Sequence, residues 1–279
     1  MNKISKKMLE KAVVYMILIL GSVIMIFPFI WTVSTSFKNQ YEVFDFPPKL
    51  IPEHPTIENY VQALTIVPIG RWFINSFIVA SATTIFVIVV ASLAGYVFGR
   101  KNFRGKDILL YMFLMTLMIP SMVTIIPNFL LIKNIGLMDT YLGLILPYTS
   151  WNLALSIYIL KDFFSAIPQA LEDAARIDGC SELQIFLKIM LPLAKPGIAT
   201  IGIFTFLYGW DEFTWALTVT SSASMRTLPI GLALFHGEYL TMWTLLTAGL
   251  VIATIPPIVV FLLFQKYFIP NLMAGSVKM

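Results

Sequence analysis

Five stretches of this chain run for more than 20 residues without a single Asp, Glu, Lys or Arg: Ala12 to Phe37, Trp72 to Gly99, Ile108 to Ile132, Thr140 to Leu160, and Tyr239 to Gln265. A helix rises about 1.5 Å per residue, so about 20 apolar residues cross a hydrocarbon core about 30 Å thick. A further stretch opens at Pro196, meets Asp211 and Glu212, and continues apolar to Val219. It reads as another spanning helix with acids near its far end. Lipid leaves no partner for an open strand edge, so the spans are helical. The expected fold is an all-α integral membrane protein with six transmembrane helices.

Charge supports this and narrows the function classes. Only 12% of residues are charged and 58% are hydrophobic, with a mean hydropathy of +0.83, a balance far from that of a soluble domain. The 19 Lys and Arg are scattered between apolar runs and form no basic stripe for nucleic acid. One cysteine, Cys180, excludes an internal disulfide, and His54 with His236 gives no metal-ligand spacing. No Ser–His–acid set, His-Glu-x-x-His or glycine-rich phosphate loop occurs, so neither catalysis nor ATP binding by this chain is expected.

With the N-terminus in the cytoplasm, the inner segments hold Lys3, Lys6, Lys7, Lys11, Arg100, Lys101, Arg104, Lys106, Lys161, Arg176, Lys188, Lys195, Lys266 and Lys278, or 14 of the 19 cations. Basic residues are retained on the cytoplasmic side during insertion, so both ends are expected inside. The first span reads as an uncleaved anchor, because its apolar run is too long for a signal peptide.

The organisation then reads as 1–37, the cytoplasmic N-terminus and first span; 38–71, an extracellular loop; 72–268, a five-helix core; and 269–279, a cytoplasmic tail. The loop carries Pro47, Pro48, Pro52, Pro55 and Pro68, which disfavour a continuous helix. Gly95 and Gly99 form a small-xxx-small pair suited to close packing of helices in lipid, and Pro120, Pro127, Pro256 and Pro257 bend spans.

Within the core, the cytoplasmic loop 161–195 is longer and more polar than the other connections. Pro168 opens a short helix, with Glu172 and Asp173 near the positive end of its dipole. Gly179 suits the left-handed residue that ends it. Ser181 and Gln184 have capping-box spacing for a second helix through Leu191, stopped by Pro192. Ala174, Ala175 and Gly179 allow close approach of a partner, and Leu171, Ile185, Phe186 and Leu187 supply apolar anchors.

The segment Glu172-Asp173-Ala174-Ala175-Arg176-Ile177-Asp178-Gly179, followed after nine residues by Ile189-Met190-Leu191-Pro192, resembles the EAA loop of binding-protein-dependent ABC importers. That pattern is E-A-A-x-x-D-G-x9-I-x-L-P, and here Asp173 stands in place of its first Glu. The motifs Phe27-Pro28-Phe29, Ser34 to Lys38, Asn59-Tyr60, Asn75-Ser76-Phe77, Trp210-Asp211-Glu212-Phe213 and Ala274 to Lys278 are similar to the carbohydrate branch, in particular the smaller permease of maltose-type systems.

The resemblance implies a type I importer permease fold, in the cell (inner) membrane of a bacterium or archaeon, that carries sugar. It implies a second homologous permease, an extracellular solute-binding protein, and two ATPase subunits that hold ATP and Mg. It also makes Glu172, Asp173, Ala174, Ala175, Asp178, Gly179, Leu191 and Pro192 the coupling residues, seated in a cleft of the ATPase.

For the pathway, sugars need aromatic faces and hydrogen-bonding groups. Tyr148, Trp151 and Asn152, with Tyr208, Trp210 and Asp211, are the candidates, whereas Trp72, Tyr239 and Trp243 read as interfacial belts. Other solutes of the same importer class, such as a sugar phosphate or peptide, stay open, and an ion-coupled secondary carrier is the more distant alternative.

Overall fold

A computed structural model describes residues 3–65, 67–237 and 241–275, so the expectations for Tyr239 and for 276–279 fall outside the described residues. The described residues are mostly helical and form no strand beyond one isolated bridge, His236 to Thr241. Its elements are α1 (Lys3–Ser36), a 3₁₀ turn (Glu42–Phe44), α2 (Glu58–Thr65), α3 (Ile69–Arg100), α4 (Lys106–Thr116), α5 (Ser121–Asn134) and α6 (Tyr141–Ala166). There follow α7 (Gln169–Ile177), α8 (Glu182–Ile185), a π turn (Phe186–Met190), α9 (Leu191–Leu193), α10 (Lys195–Asp211), α11 (Thr214–Val219), α12 (Leu228–Ala233) and α13 (Trp243–Gly275).

Among the described residues, four helices are long and apolar enough to cross a membrane: Glu10–Ser36 of α1, α3, α6, and Trp243–Tyr267 of α13. Two more crossings arise only if each bent pair counts as one, α4 with α5 and Glu182–Leu193 with α10. The third run, Ile108 to Ile132, expected to bend at Pro120, is broken there into two helices: α4 and α5 meet at 97°. Proline explains the break, since Pro120 lacks an N–H and pushes Ile119 out of helical backbone. The stretch from Pro196 to Val219 is broken too. Glu212 turns extended (ψ 126°) and its carboxylate accepts the amides of Trp215 (2.7 Å) and Ala216 (3.0 Å), ending α10 at Asp211 and starting α11.

The chain divides into two compact units. One comprises the chain up to Ile69 with Leu232–Ile255. Here the apolar side chains of α1 from Val13 to Ile30 are exposed almost throughout, as a lipid-facing helix requires. The loop 38–71 is more ordered than its prolines suggest, because α2 forms between Pro55 and Pro68. Asn59 is buried and donates to the carbonyls of Ser36 (2.8 Å) and Lys38 (2.7 Å), which lie at the orphaned end of α1. Gln40 reaches Thr241 and Thr244.

Two buried clusters stand out among the described residues of the second unit, Gly70–Gly231 with the chain from Pro256 onward. In one, Val87, Ala91, Tyr96, Leu160, Phe164, Phe186 and Met190 pack together; in the other, Val79, Leu144, Tyr148, Trp215 and Ile230 do. The expected close crossing is present. A Cβ on Gly95 would lie 2.8 Å from Leu160 Cβ, and one on Gly99 would lie 2.9 Å from the Lys161 carbonyl, so α3 meets α6 backbone to backbone. Trp72 does not form a belt: it is buried, its ring against Gly231 and its indole N–H donating to Ala223. Trp243 is half exposed, consistent with an interfacial ring.

Candidate functional site

The loop after α6 folds as a helical hairpin. Pro168 caps α7 from outside, and the turn is made by Gly179 at φ +81°, the left-handed conformation that favours glycine. Ser181 and Gln184 form the reciprocal capping box. Pro192 does not stop the second helix. The π turn Phe186–Met190 widens the ladder ahead of the missing N–H, and the helix continues to Leu193 before bending 74° into α10.

Of the proposed coupling residues, Asp173, Ala174, Asp178, Gly179 and Pro192 are exposed, while Leu191 is half-buried against the chain's own core. Two face inward instead, Glu172 (1% exposed) and Ala175 (5%). The reason for the first is electrostatic: Glu172 pairs with Arg100 Nε at 2.5 Å and with Arg176 at 3.0 Å. Ile185 and Phe186 are also core residues, so the outward apolar groups are Leu171, Ile177, Leu183 and Leu187. Around the rim, Arg176 also reaches Asp173 (3.1 Å) and Glu182 (3.2 Å), and Lys101 reaches Glu182. Sequence reasoning missed Arg100 as a structural partner; its position at the end of a span beside a loop rich in acids was the available signal.

The pathway candidates separate into two groups. A cavity of about 690 Å³ opens in the angle between α4 and α5, lined by Trp151 and Tyr208 together with Thr116, Ser121, Thr124, Asn128 and Ser150. A smaller one, about 60 Å³, shares Ser121, Trp151 and Tyr208 and adds Glu212, Thr214 and Trp215. Among the described residues, no lysine or arginine lines either cavity.

The other candidates sit elsewhere. Tyr148 is fully buried beneath the wall, its hydroxyl donating to Glu212 and its ring edge-on to Tyr208 at 5.8 Å. Asn152 spends its amide on the Tyr148 carbonyl (2.8 Å). Trp210 is buried against Phe73 and Phe206, and Asp211 is exposed and lines neither cavity. None of those four lines either cavity; they stand behind its wall or away from it. Helix pitch decides it, because Tyr208 and Trp210 point about 200° apart. The polar residues missed by sequence reasoning, Ser121, Thr124 and Asn128, follow a 3–4 spacing along α5 and so form a stripe legible in the apolar run.

Comparison with known proteins places this arrangement. The family described as binding-protein-dependent transport system inner membrane component matches residues 88–273. The sulfoquinovosyl glycerol transport system permease protein SmoH of Agrobacterium fabrum is 35% identical over 91% of this chain and 89% of its own length. The trehalose/maltose transport system permease protein MalG of Thermococcus litoralis is 36% identical over 97% and 99%. Among solved structures, a bacterial ABC transporter involved in import of the acidic polysaccharide alginate superimposes with a TM-score of 0.83 at 23% identity, over 96% of this chain and 99% of that one. That likeness concerns the fold. The chain thus belongs to the binding-protein-dependent transport system inner membrane components, the permease subunits of ABC importers.

Proposed function

We propose that this permease passes a sugar or oligosaccharide, handed over by an extracellular binding protein, through the cavity lined by Trp151 and Tyr208. The observation that carries the reading is the chemistry of that wall: two aromatic faces for sugar C–H surfaces, and Ser, Thr and Asn groups for hydroxyls. Permeases of trehalose/maltose and arabinooligosaccharide systems among the relatives favour the same solute class.

The bent α4–α5 and Glu182–α10 pairs each count as one crossing in this reading, giving six, and the cation asymmetry supports both termini in the cytoplasm. A second permease completes the pore. Two ATPase subunits below it bind ATP and Mg and grip the outward face of α7, at Asp173, Ala174, Ile177, Asp178 and Gly179. Closure of the ATPase pair then rocks the helices between inward-facing and outward-facing arrangements.

Reconstitution with the neighbouring subunits and a panel of neutral sugars tests the solute: one or more should stimulate ATP hydrolysis, and Trp151→Ala should weaken that response. A panel without effect, set against stimulation by peptides, would remove the sugar assignment. For coupling, Ala174→Trp should abolish co-purification of the ATPase while the chain still inserts.

A further inference from the structure

Arg100 reads in the sequence only as one of the cations that mark the cytoplasmic side, yet the structure gives it more hydrogen-bond partners than any other cation of the loop region. It is the last residue of α3, and its side chain is 6% exposed. Nε donates to Glu172 in the first turn of α7 (2.5 Å). Nη1 donates to the carbonyl of Ile167 (2.8 Å), which caps the end of α6, with the Phe164 carbonyl at 3.5 Å. Nη2 donates to Gln169 at the start of α7 (2.6 Å).

Resting on the proposal that α7 receives the ATPase, we propose that Arg100 is a positioning residue that fastens α7 to the ends of α3 and α6, so that force applied at α7 enters the spans as a rigid-body displacement. The physical reason is the cost of letting go. Sliding α7 away leaves a buried guanidinium without its carboxylate, and a buried charge stripped of its partner is strongly disfavoured. A planar guanidinium can hold three helices at once because its donors point in fixed, diverging directions, which a lysine ammonium cannot reproduce. The outer pairs do not serve this purpose. Lys101 and Glu182 are 35% and 55% exposed, and pairs in water contribute little. Arg176 is 38% exposed and joins residues within the hairpin itself, so it stiffens the hairpin without tying it to a span.

The test uses the complete importer, assembled with its partner permease, ATPase and binding protein, in a Cys180→Ser background. Ser150→Cys places a thiol in the cavity wall, and a membrane-impermeant maleimide reports its accessibility with and without Mg-ATP and vanadate, relative to ATP hydrolysed. Arg100→Met should hydrolyse ATP but lose the nucleotide-dependent change in labelling. Arg100→Lys should assemble and show a smaller change than the parent, and Lys101→Met should match the parent.

Equal labelling change per ATP in parent, Met and Lys proteins overturns the proposal. If the Met variant fails to assemble, the Lys variant decides; failure of both makes Arg100 a folding residue and also overturns it. Retention of the ATPase by Ala174→Trp would sink the docking reading separately, whatever the Arg100 variants do.

Discussion

Replacing Gly95 with leucine puts a wedge where α3 and α6 touch. The new Cβ would lie 2.8 Å from Leu160 Cβ, 3.1 Å from the Lys161 nitrogen and 3.2 Å from the Leu160 carbonyl carbon. Carbon atoms settle at about 3.5–4.0 Å, so the helices must part by roughly 1 Å, and backbone atoms cannot rotate away. Overpacking of this kind costs typically about 1–3 kcal/mol, and three further leucine carbons place it in the upper half, at about 2–3 kcal/mol.

Gly21→Leu is the control, since nothing lies within 4 Å of a Cβ there. Both changes gain the same helix propensity, about 0.5–1 kcal/mol, which cancels in the comparison. At roughly 2–4 °C per kcal/mol for a chain of this size, Gly95→Leu should unfold about 4–12 °C below Gly21→Leu. Thermal scans at matched rates in one detergent provide the measurement, because unfolding of such proteins is often irreversible. Coincident transitions for the two variants would refute the backbone-to-backbone crossing.

Gly179→Val should be less stable than Gly179→Asn by about 1–2 kcal/mol, because φ is +81° and asparagine tolerates that region far better; thermal scans of the purified complex would show it. Trp151→Ala should lower sugar-stimulated ATP hydrolysis about two- to ten-fold through loss of one aromatic face, with ATPase assembly unchanged by co-purification.

Asp139 accepts the amides of Ser221 (2.9 Å) and Ser222 (3.1 Å). Burial alone would raise its carboxyl, but hydrogen bonds from the Ser222 side chain and from both amides outweigh this and hold it below the ordinary value. A lowered folded pKa stabilises fully above the unfolded value of about 3.9 and is lost as pH falls through the lower folded one. Hydrogen exchange of residues 221–226 should therefore be flat from pH 7 to about 5 after correction for intrinsic rates, and faster in Asp139→Asn at neutral pH.

Much of this architecture is legible in the residues, and the exceptions have physical causes. Uncharged runs locate the membrane helices because lipid tolerates little else, and Gly179 with Ser181 and Gln184 locates the hairpin because left-handed backbone and capping boxes are local chemistry. Breaks inside apolar runs are harder to place. Pro28 and Pro147 sit inside continuous helices, whereas Pro120 stands in the break just before α5, and only the surrounding packing separates the cases. Which acid turns inward is likewise tertiary: Glu172 and Asp173 are adjacent and chemically alike, and Arg100 from a distant span selects Glu172. At the cavity, the aromatic residues were identifiable by type, but the helical phase around the break at Glu212 decides that Tyr208 faces the space and Trp210 the core.

The most direct test of the account is proximity at α7. Ile177 is 87% exposed on that helix, and Cys180 is the chain's single cysteine. With Cys180→Ser and Ile177→Cys, a thiol-linked photoreactive group at position 177 should form its major adduct with an ATPase subunit in inside-out vesicles. Labelling of that thiol by an impermeant reagent outside intact cells, with no ATPase adduct, would contradict the account.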